Sequence, residues 1–397
     1  MFEGKTVVLG VTGSIAAYKA VDIASKLTQR GLGVDVVMTR AAMEFVTPLS
    51  FRSVTHRPVV TDMWELSSEF SVEHVALAER ADAVVVAPAT ANTIAKMAVG
   101  IADEMLTCTV LATRAPVVVA PAMDAGMYAS AVTQENLGRL RSRGFIVVGP
   151  AHGRLASGLV GMGRLVETEE VLASVYEVLA RKGDLAEKQV VVSAGGTREP
   201  IDFVRYVGNR SSGKMGYAVA EAARDRGAVV TLVTSATEIP PPAGVDVMHV
   251  ETALEMRDAV LKASAAADVL IMAAAVADYR PAEVVDTKIK RESESLTLEL
   301  VKTADILSEV QGEVIKVGFA AEAGDVIERA REKIATKQLH LIVANDVTAE
   351  GSGFGADTNR VTLIDREGDV EELPLMPKYE VAHRILDRVM AILSSQD

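Results

Sequence analysis

The first residues with chemical potential follow an apolar strand-like run, Thr6–Val11, which passes through Thr12-Gly13-Ser14-Ile15 into a helical pattern ending at Gln29. Gly13 permits a tight turn, and Ser14 is a good N-cap that carries a hydroxyl. The unpaired amides of a first helical turn face outward, which is the chemistry of phosphate binding. Any strand–turn–helix could use the same two residues for the turn alone. Ala16 replaces the third glycine of a dinucleotide fingerprint. Thr39-Arg40 stands at the end of the second strand, where an acid would favour a ribose. Both features point away from NAD and towards a flavin mononucleotide or another ligand.

Further along, His74 stands in Val72-Glu73-His74 at a helix start. An imidazole can accept a proton near neutral pH, and it can equally be a solvated surface group. Pro88, Ala89, Thr90, Ala91 and Asn92 form one strand-end turn, and Pro121-Ala122-Met123 another. Open α/β sheets bind ligands at such strand ends. Met123 could as well be core packing. Asn209 precedes Ser211-Ser212-Gly213-Lys214. It suits a turn before a helix whose N-terminus could take a phosphate. Lys288, Lys290 and Arg291 form a basic loop, which is either an anion contact or a solvated face. Lys333 and Lys337 are four apart on one helix face, so both ammoniums can reach one polyphosphate.

The elements that must position these groups alternate. Strand-like runs at Thr6–Val11, Val34–Thr39, Ala83–Ala87, Pro116–Ala120 and Phe145–Val148 are continuous in apolar residues and separated by helical patterns. This predicts a parallel sheet covered on both faces. Glu167 to Lys188 reads as a helix with a hinge near Gly183-Asp184. The pattern then restarts: strand Gln189–Ser193, a glycine-containing loop Ala194–Asn209, helix Lys214–Arg226 and strand Ala228–Thr234. Further strands follow at Val269–Ala274, Val314–Phe319 and Leu341–Ala344. Val381, Ile385, Val389 and Leu393 mark a final amphipathic helix. The expected fold is α/β, with two consecutive doubly wound, mostly parallel-sheet domains spanning 1–187 and 188–397.

Composition narrows the classes. With 397 residues, 49% of them apolar, the chain can bury sizeable cores. Its 54 acidic and 41 basic residues give a net charge of −13, which repels nucleic acid and anionic membrane. The one cysteine, Cys108, permits no intrachain disulfide, which fits a cytoplasmic location. The opening residues lack the features of a signal peptide, and no 18-residue apolar run predicts a membrane span.

The motifs GSIAAYK, VEH, APATANTIAKMA, PAM followed by MY, and GRLASG with GMGRL occur in that order in the first half. They resemble the flavoprotein decarboxylase family that acts on cysteine-ended peptides and pantothenate derivatives. SAGGTREPIDFVRYVGNRSSGKMG, AAAVADYRP, KIK, GFAAE and IVANDV fill the second half. They resemble the phosphopantothenate–cysteine ligase family. The two in series, across nearly the whole chain, resemble the bacterial bifunctional coenzyme A biosynthesis proteins.

The resemblance implies a flavodoxin-like flavoprotein domain followed by a Rossmann-like ligase domain. The substrates would be 4'-phosphopantothenate, L-cysteine and CTP, with FMN and Mg2+ as cofactors. Ligation through an acyl-cytidylate would come first, and FMN-dependent decarboxylation of phosphopantothenoylcysteine to 4'-phosphopantetheine second. The flavin oxidises the thiol carbon, so that the carbanion left by CO2 is held as an enethiolate. By the same resemblance His74 is catalytic, and Gly13, Ser14, Ile15, Thr39, Pro88, Ala89, Thr90, Asn92 and Met123 bind the cofactor. In the second half Lys288 stabilises phosphate charge and Asn209 holds the acyl-cytidylate. Ser211, Ser212, Gly213, Met272, Ala273, Ala274, Asp278, Ala304, Asp305, Ile306, Leu307, Phe319, Lys333 and Lys337 contact substrate. Metal ligands are not identified. The family also implies a homo-oligomer, with trimeric flavin domains and dimeric ligase domains.

Two positions depart from the family pattern. The substrate-clamping asparagine after PAM is Asp124, and the proton-donating cysteine is Ser157. An ionised carboxylate only accepts hydrogen bonds and repels a substrate carboxylate, so Asp124 is either protonated or part of a different clamp. Ser157, a much weaker acid than a thiol, either relays a proton from water or leaves the task to another group. Loss of decarboxylation at these sites would make the first half a flavin-bound regulatory module beside an intact ligase. A two-domain NAD oxidoreductase is a second rival, and it would be colourless as isolated.

Overall fold

The computed structural model describes residues 4–64, 72–181, 183–236, 238–289, 296–322, 326–346 and 355–395. Lys290, Arg291 and Val347 lie outside them. The chain forms two compact units, Met1–Leu179 and Ala180–Asp397. Among the described residues no helix is long and apolar enough to cross a membrane.

In the first unit six parallel strands, β1 (Thr6–Val11), β2 (Gly33–Met38), β3 (Val59–Val60), β4 (Ala83–Ala89), β5 (Val117–Pro121) and β6 (Ile146–Val147), pair in the order β3-β2-β1-β4-β5-β6. With the two-residue edge strand β3 set aside, this is the flavodoxin order. Alternation explains the burial. Val7, Leu9 and Val11 of β1 enter one apolar layer, and Val8 enters the other. Helices α1 (Ala17–Gln29), α2 (Pro48–Thr55), α3 (Glu73–Arg80), α4 (Ala91–Val99), α5 (Met105–Ala112), α6 (Ala125–Ala129), α7 (Ala131–Ser142) and α8 (Thr168–Ala180) connect the strands. An antiparallel hairpin, β7 (Ala151–Arg154) and β8 (Val160–Arg164), stands apart from the sheet. Helix α8 ends at Ala180, just before the expected hinge near Gly183-Asp184. Beyond it Gly183 lies so close to Arg226 that an added Cβ would sit 2.1 Å from the Arg226 carbonyl oxygen. Packing overrides local helix propensity there.

The second unit repeats the plan. Strands β9 (Gln189–Ala194), β12 (Val229–Thr234), β13 (Asp246–His249), β14 (Val269–Met272), β17 (Ile315–Glu322) and β18 (Leu341–Asp346) are parallel; β20 (Val361–Asp365) and β21 (Val370–Glu372) extend the sheet antiparallel. The order is β13-β12-β9-β14-β17-β18-β20-β21. Helices α9 (Lys214–Asp225), α10 (Ala253–Ser264), α11 (Ile306–Glu309), α12 (Val326–Lys337) and α13 (Lys378–Ser394) complete the layers. The stretch read as one loop, Ala194–Asn209, contains a hairpin of β10 (Arg198–Pro200) and β11 (Tyr206–Gly208). Small antiparallel pairs β15 (Tyr279–Pro281) with β16 (Leu300–Lys302), and β19 (Thr358–Asn359) with β22 (Met376–Pro377), lie beside the sheet.

Two half-buried histidines give this unit a pH signature. His340 Nδ1 accepts the Lys316 backbone N–H at 3.0 Å, and His383 Nε2 is buried without a partner among the described residues. Burial holds both imidazoles down to about 4 from an ordinary 6.5. Arg366 and Lys316 add to this at His340, and Arg226 at His383. Between those values the unfolded chain binds more protons, so stability is full above about pH 6.5 and falls as pH drops towards 4. With solvent screening the two groups together contribute on the order of 1–2 kcal/mol. The calorimetric Tm of this unit should fall by about 3–6 °C between pH 7 and pH 5. His383→Phe should flatten part of the slope; an unchanged Tm over that range would contradict the argument.

Candidate active sites

The strand order reverses between β1 and β4, and the crevice of a doubly wound sheet opens at that point on the carboxyl edge. Buried Thr12 joins the two turns there. Its hydroxyl donates to the Pro88 carbonyl at 2.6 Å and accepts the Thr90 N–H at 3.1 Å. Thr90 caps α4 by accepting the Thr93 N–H at 3.3 Å. A Cβ on Gly13 would lie 2.5 Å from the Ala41 Cβ, so only glycine lets the 39–42 segment lie against this turn. Thr39 is buried beside it, with its hydroxyl accepting the Ala42 N–H at 3.2 Å. Ser14 does not cap α1 as expected. The helix starts at Ala17, and the Ser14 hydroxyl accepts the Ala16 N–H at 3.3 Å inside a preceding turn. Ile15 remains 59% exposed on this rim, with exposed Asn92 and half-buried Met123.

His74 occupies the first turn of α3 and is half-buried. Helix α3 feeds β4 after only two residues. A helix entering a parallel strand runs against it, so the first turn, with His74, lies towards the carboxyl edge where the crevice opens.

The β7–β8 hairpin covers the Met123–Ala125 turn. The Met123 N–H donates to the Gly163 carbonyl at 2.9 Å, and a Cβ on Gly163 would lie 2.3 Å from the Met123 oxygen. Ser157, at the hairpin tip, donates its hydroxyl to Asp124 Oδ2 at 2.7 Å, while Asp124 Oδ1 accepts the Gly126 N–H at 3.0 Å and caps α6. The Ser157 hydroxyl first, and then the Gly126 N–H, hold the Asp124 carboxyl below its ordinary value. Of the two alternatives for Asp124, a carboxylate that accepts hydrogen bonds on both oxygens fits a different clamp better than a protonated acid. The two positions that depart from the family pattern are bonded to each other.

In the second unit the order reverses between β9 and β14. Gly195, at φ +87°, and Gly196 lie against Ala236 and Asn209 so tightly that a Cβ on either would meet backbone at 2.5 Å. The chain after β9 is thereby stitched to the chain after β14. The Ala275 N–H donates to the Gly195 carbonyl at 2.8 Å, the Ala274 N–H to Ser193 Oγ at 3.1 Å, and the Ala277 N–H to Thr197 Oγ1 at 2.9 Å. Asn209 Nδ2 donates to the Val276 carbonyl at 3.1 Å. Ser211 Oγ accepts the Gly213 N–H at 3.3 Å, Ser212 Oγ lies 3.5 Å from the Lys214 N–H, and Gly213 caps α9 at φ +77°.

The nucleotide-side candidates arrive on a second path. The Thr303 N–H donates to the Asp278 carbonyl at 2.9 Å and its hydroxyl to the Ala277 carbonyl at 2.6 Å, and Ile306 and Leu307 share an apolar cluster with Met272 and Ala274. Lys337 pairs with Asp305 at 3.0 Å, so its ammonium already has a carboxylate partner. Lys333 lies one turn earlier on α12, and Phe319 lies on β17 opposite Val343. Lys288 is exposed, in a loop after β15. Sequence reasoning passed over Thr12, Ser193, Thr197 and Asp202. The Gly195-Gly196 pair was the available signal for the second group; nothing local marked Thr12. Among the described residues no cluster of three or more His, Cys, Asp or Glu is arranged to hold a metal ion.

Two doubly wound modules, each with hydroxyl- and glycine-containing turns tied together at its switch point, define a two-module α/β protein. Residues 1–180 match the family model described as Flavoprotein, and 185–393 match that of the DNA/pantothenate metabolism flavoprotein C-terminal domain. The coenzyme A biosynthesis bifunctional protein CoaBC of Bacillus subtilis (strain 168) is 46% identical, over 99% of this chain and 98% of its own. That of Mycobacterium tuberculosis (strain H37Rv) is 44% identical, over 98% and 97%. Among solved structures, the C-terminal domain of a CoaBC shares 41% identity over 54% of this chain and 99% of its own, with a TM-score of 0.47. A mutant PPC decarboxylase complexed with pantothenoylaminoethenethiol shares 31% identity over 44% and 97%, with a TM-score of 0.40. The chain belongs to the family of bifunctional coenzyme A biosynthesis proteins, and it is a bifunctional enzyme of that pathway.

Proposed function

We propose that the second unit ligates L-cysteine to 4'-phosphopantothenate with CTP, through an acyl-cytidylate, and that the first decarboxylates the resulting phosphopantothenoylcysteine to 4'-phosphopantetheine with FMN. One observation supports this reading: in each unit, turns distant in sequence are hydrogen-bonded to one another at the point where the strand order reverses. In the first, hydroxyls and turn amides lie near exposed Ile15 and half-buried Met123, a donor and apolar set that fits a phosphate-bearing planar ring. Gly13, Ser14, Thr39, Pro88, Ala89, Thr90 and Asn92 would hold it. When bound, the flavin supplies a two-electron sink next to the substrate thiol. His74 accepts the thiol proton, and the hairpin over Met123–Ala125 excludes water.

In the second unit Lys288 offsets charge on the triphosphate, Asn209 holds the acyl-cytidylate, and the Ser211–Gly213 turn and α9 N-terminus take phosphate. Mg2+ would share the charge of the triphosphate oxygens. Exposed Phe203, Val204 and Tyr206, near Tyr279, Val284 and Val285, support pairing of ligase units in a homo-oligomer.

The test supplies the purified protein with 4'-phosphopantothenate, L-cysteine, CTP and Mg2+. CMP, pyrophosphate, CO2 and 4'-phosphopantetheine are all expected, from a protein that is yellow as isolated. A colourless protein or the absence of CMP overturns the reading. The Ser157–Asp124 bond favours a second reading, because it directs the serine proton away from substrate: a flavin-bound regulatory first unit. Accumulating phosphopantothenoylcysteine without CO2 would establish that alternative. Under the main reading, Ser157→Cys supplies a stronger acid and should raise the rate of product formation over the native enzyme, measured by quench-flow. A slower rate would remove Ser157 from the protonation path.

A further inference from the structure

Asp202 is 3% exposed, at the turn of the β10–β11 hairpin. Its Oδ1 accepts the backbone N–H groups of Val204 and Arg205, both at 2.8 Å. Its Oδ2 accepts Arg205 Nε at 3.0 Å, Arg205 Nη2 at 2.5 Å and the Ile289 backbone N–H at 3.1 Å. Arg205 Nη2 also donates to the Ile289 carbonyl at 3.2 Å. The ion pair thus grips both polar backbone atoms of the residue that follows Lys288. A second anchor lies four residues back, where the Val285 N–H donates to the Ile201 carbonyl at 3.2 Å.

A carboxylate has about four lone-pair sites, and five donors already point at this one. It has no capacity left to touch a substrate. The Arg205 guanidinium, and after it the N–H groups of Val204, Ile289 and Arg205, hold the carboxyl well below the ordinary carboxylate range. The clip therefore stays charged at any pH where the enzyme would be assayed. Between Ala282 and Ile289 the loop has no helix or strand, only the bridge at Val285. Its path is set by these side-chain contacts.

We propose that Asp202 is a positioning residue for ligation: by gripping Ile289 it fixes where the exposed Lys288 ammonium stands over the triphosphate. This rests on the reading of Lys288 given above. Asparagine at 202 can keep one half of the contacts, but its amide nitrogen faces only donors at the other half, so the grip loosens with little change in shape.

The experiment measures pyrophosphate release in Asp202→Asn, Lys288→Gln and the double variant, with CTP affinity, Tm and oligomeric state beside it. Asp202→Asn should slow release on the order of 10²-fold, the effect of roughly 1 Å of misplacement. CTP affinity should hold within a few-fold. The double variant should match Lys288→Gln, because Asp202 acts through that lysine. Multiplicative losses in the double variant, or a matching collapse of CTP affinity and Tm, would make Asp202 a fold residue only and overturn the proposal. A normal rate in Asp202→Asn with a slow Lys288→Gln overturns the proposal but leaves the Lys288 reading intact. A normal rate in Lys288→Gln removes both. Should Asp202→Asn not fold, hydrogen exchange on the unaltered enzyme decides. The Ile289 amide should be protected, and exchange at the rate of an open loop would mean that no grip exists.

Discussion

His74→Asn is expected to lower CO2 release by about 10²–10⁴-fold, the usual range for removing a positioned general base. Pyrophosphate release by the same sample should be unchanged. The argument starts from the imidazole, which changes protonation near neutral pH, whereas an amide of similar size does not. Its place follows from the short path between α3 and β4, which puts the first turn of α3 towards the carboxyl edge of the first sheet. His74 is half-buried in the first turn of α3, and asparagine is smaller and polar, so the substitution should leave the fold intact. Ligation belongs to another compact unit and serves as an internal control. Headspace CO2 and coupled pyrophosphate assays on one preparation make the comparison. Equal CO2 release by variant and native enzyme would take the base role away from His74.

Lys288→Gln should slow acyl-cytidylate formation by about 10²–10³-fold, the typical loss when one preorganised donor to developing charge is removed. Decarboxylation of supplied phosphopantothenoylcysteine should continue at the native rate. Glutamine is one atom shorter and keeps a hydrogen-bond donor, but it brings no charge to the triphosphate. Lys288→Arg keeps the charge on a differently shaped group and should recover part of the rate. Pyrophosphate release at saturating CTP is the measurement. A rate within a few-fold of native in Lys288→Gln would return Lys288 to an ordinary solvated loop. The partner positions differ in their support. Asp305 already pairs with Lys337, so any contact Lys337 makes with phosphate must compete with a carboxylate at 3.0 Å. Lys288 is exposed, and its backbone neighbour is gripped from both sides.

Much of this molecule is written in short stretches of the chain. Val7–Val11, Ala83–Ala87 and Val190–Val192 are apolar and rich in valine, which favours central strands buried on both faces. Turn chemistry was equally local: Thr90 and Gly213 stand at helix starts for reasons legible in three or four residues, whereas Gly13 is required by the distant Ala41. The order of motifs already carried the family. The antiparallel strands β20 and β21 were not legible, because strand direction depends on the partner and not on the strand's own residues. Nor was the common strand order of the two units, since different sequences satisfy the same packing of helices on a twisted sheet.

The sequence alone determined which residue types could perform proton transfer and bind phosphate, and that they lie at the ends of apolar strands. Only the tertiary structure decided which of them meet. Thr12 with Pro88, Ser157 with Asp124, and Asp202 with Ile289 are separated by 76, 33 and 87 positions. Each of these contacts forms because the folded sheet and its hairpins bring the partners within about 3 Å, a range over which a hydrogen bond acts. No local spacing encodes such a distance, and it depends on the packing of every element between.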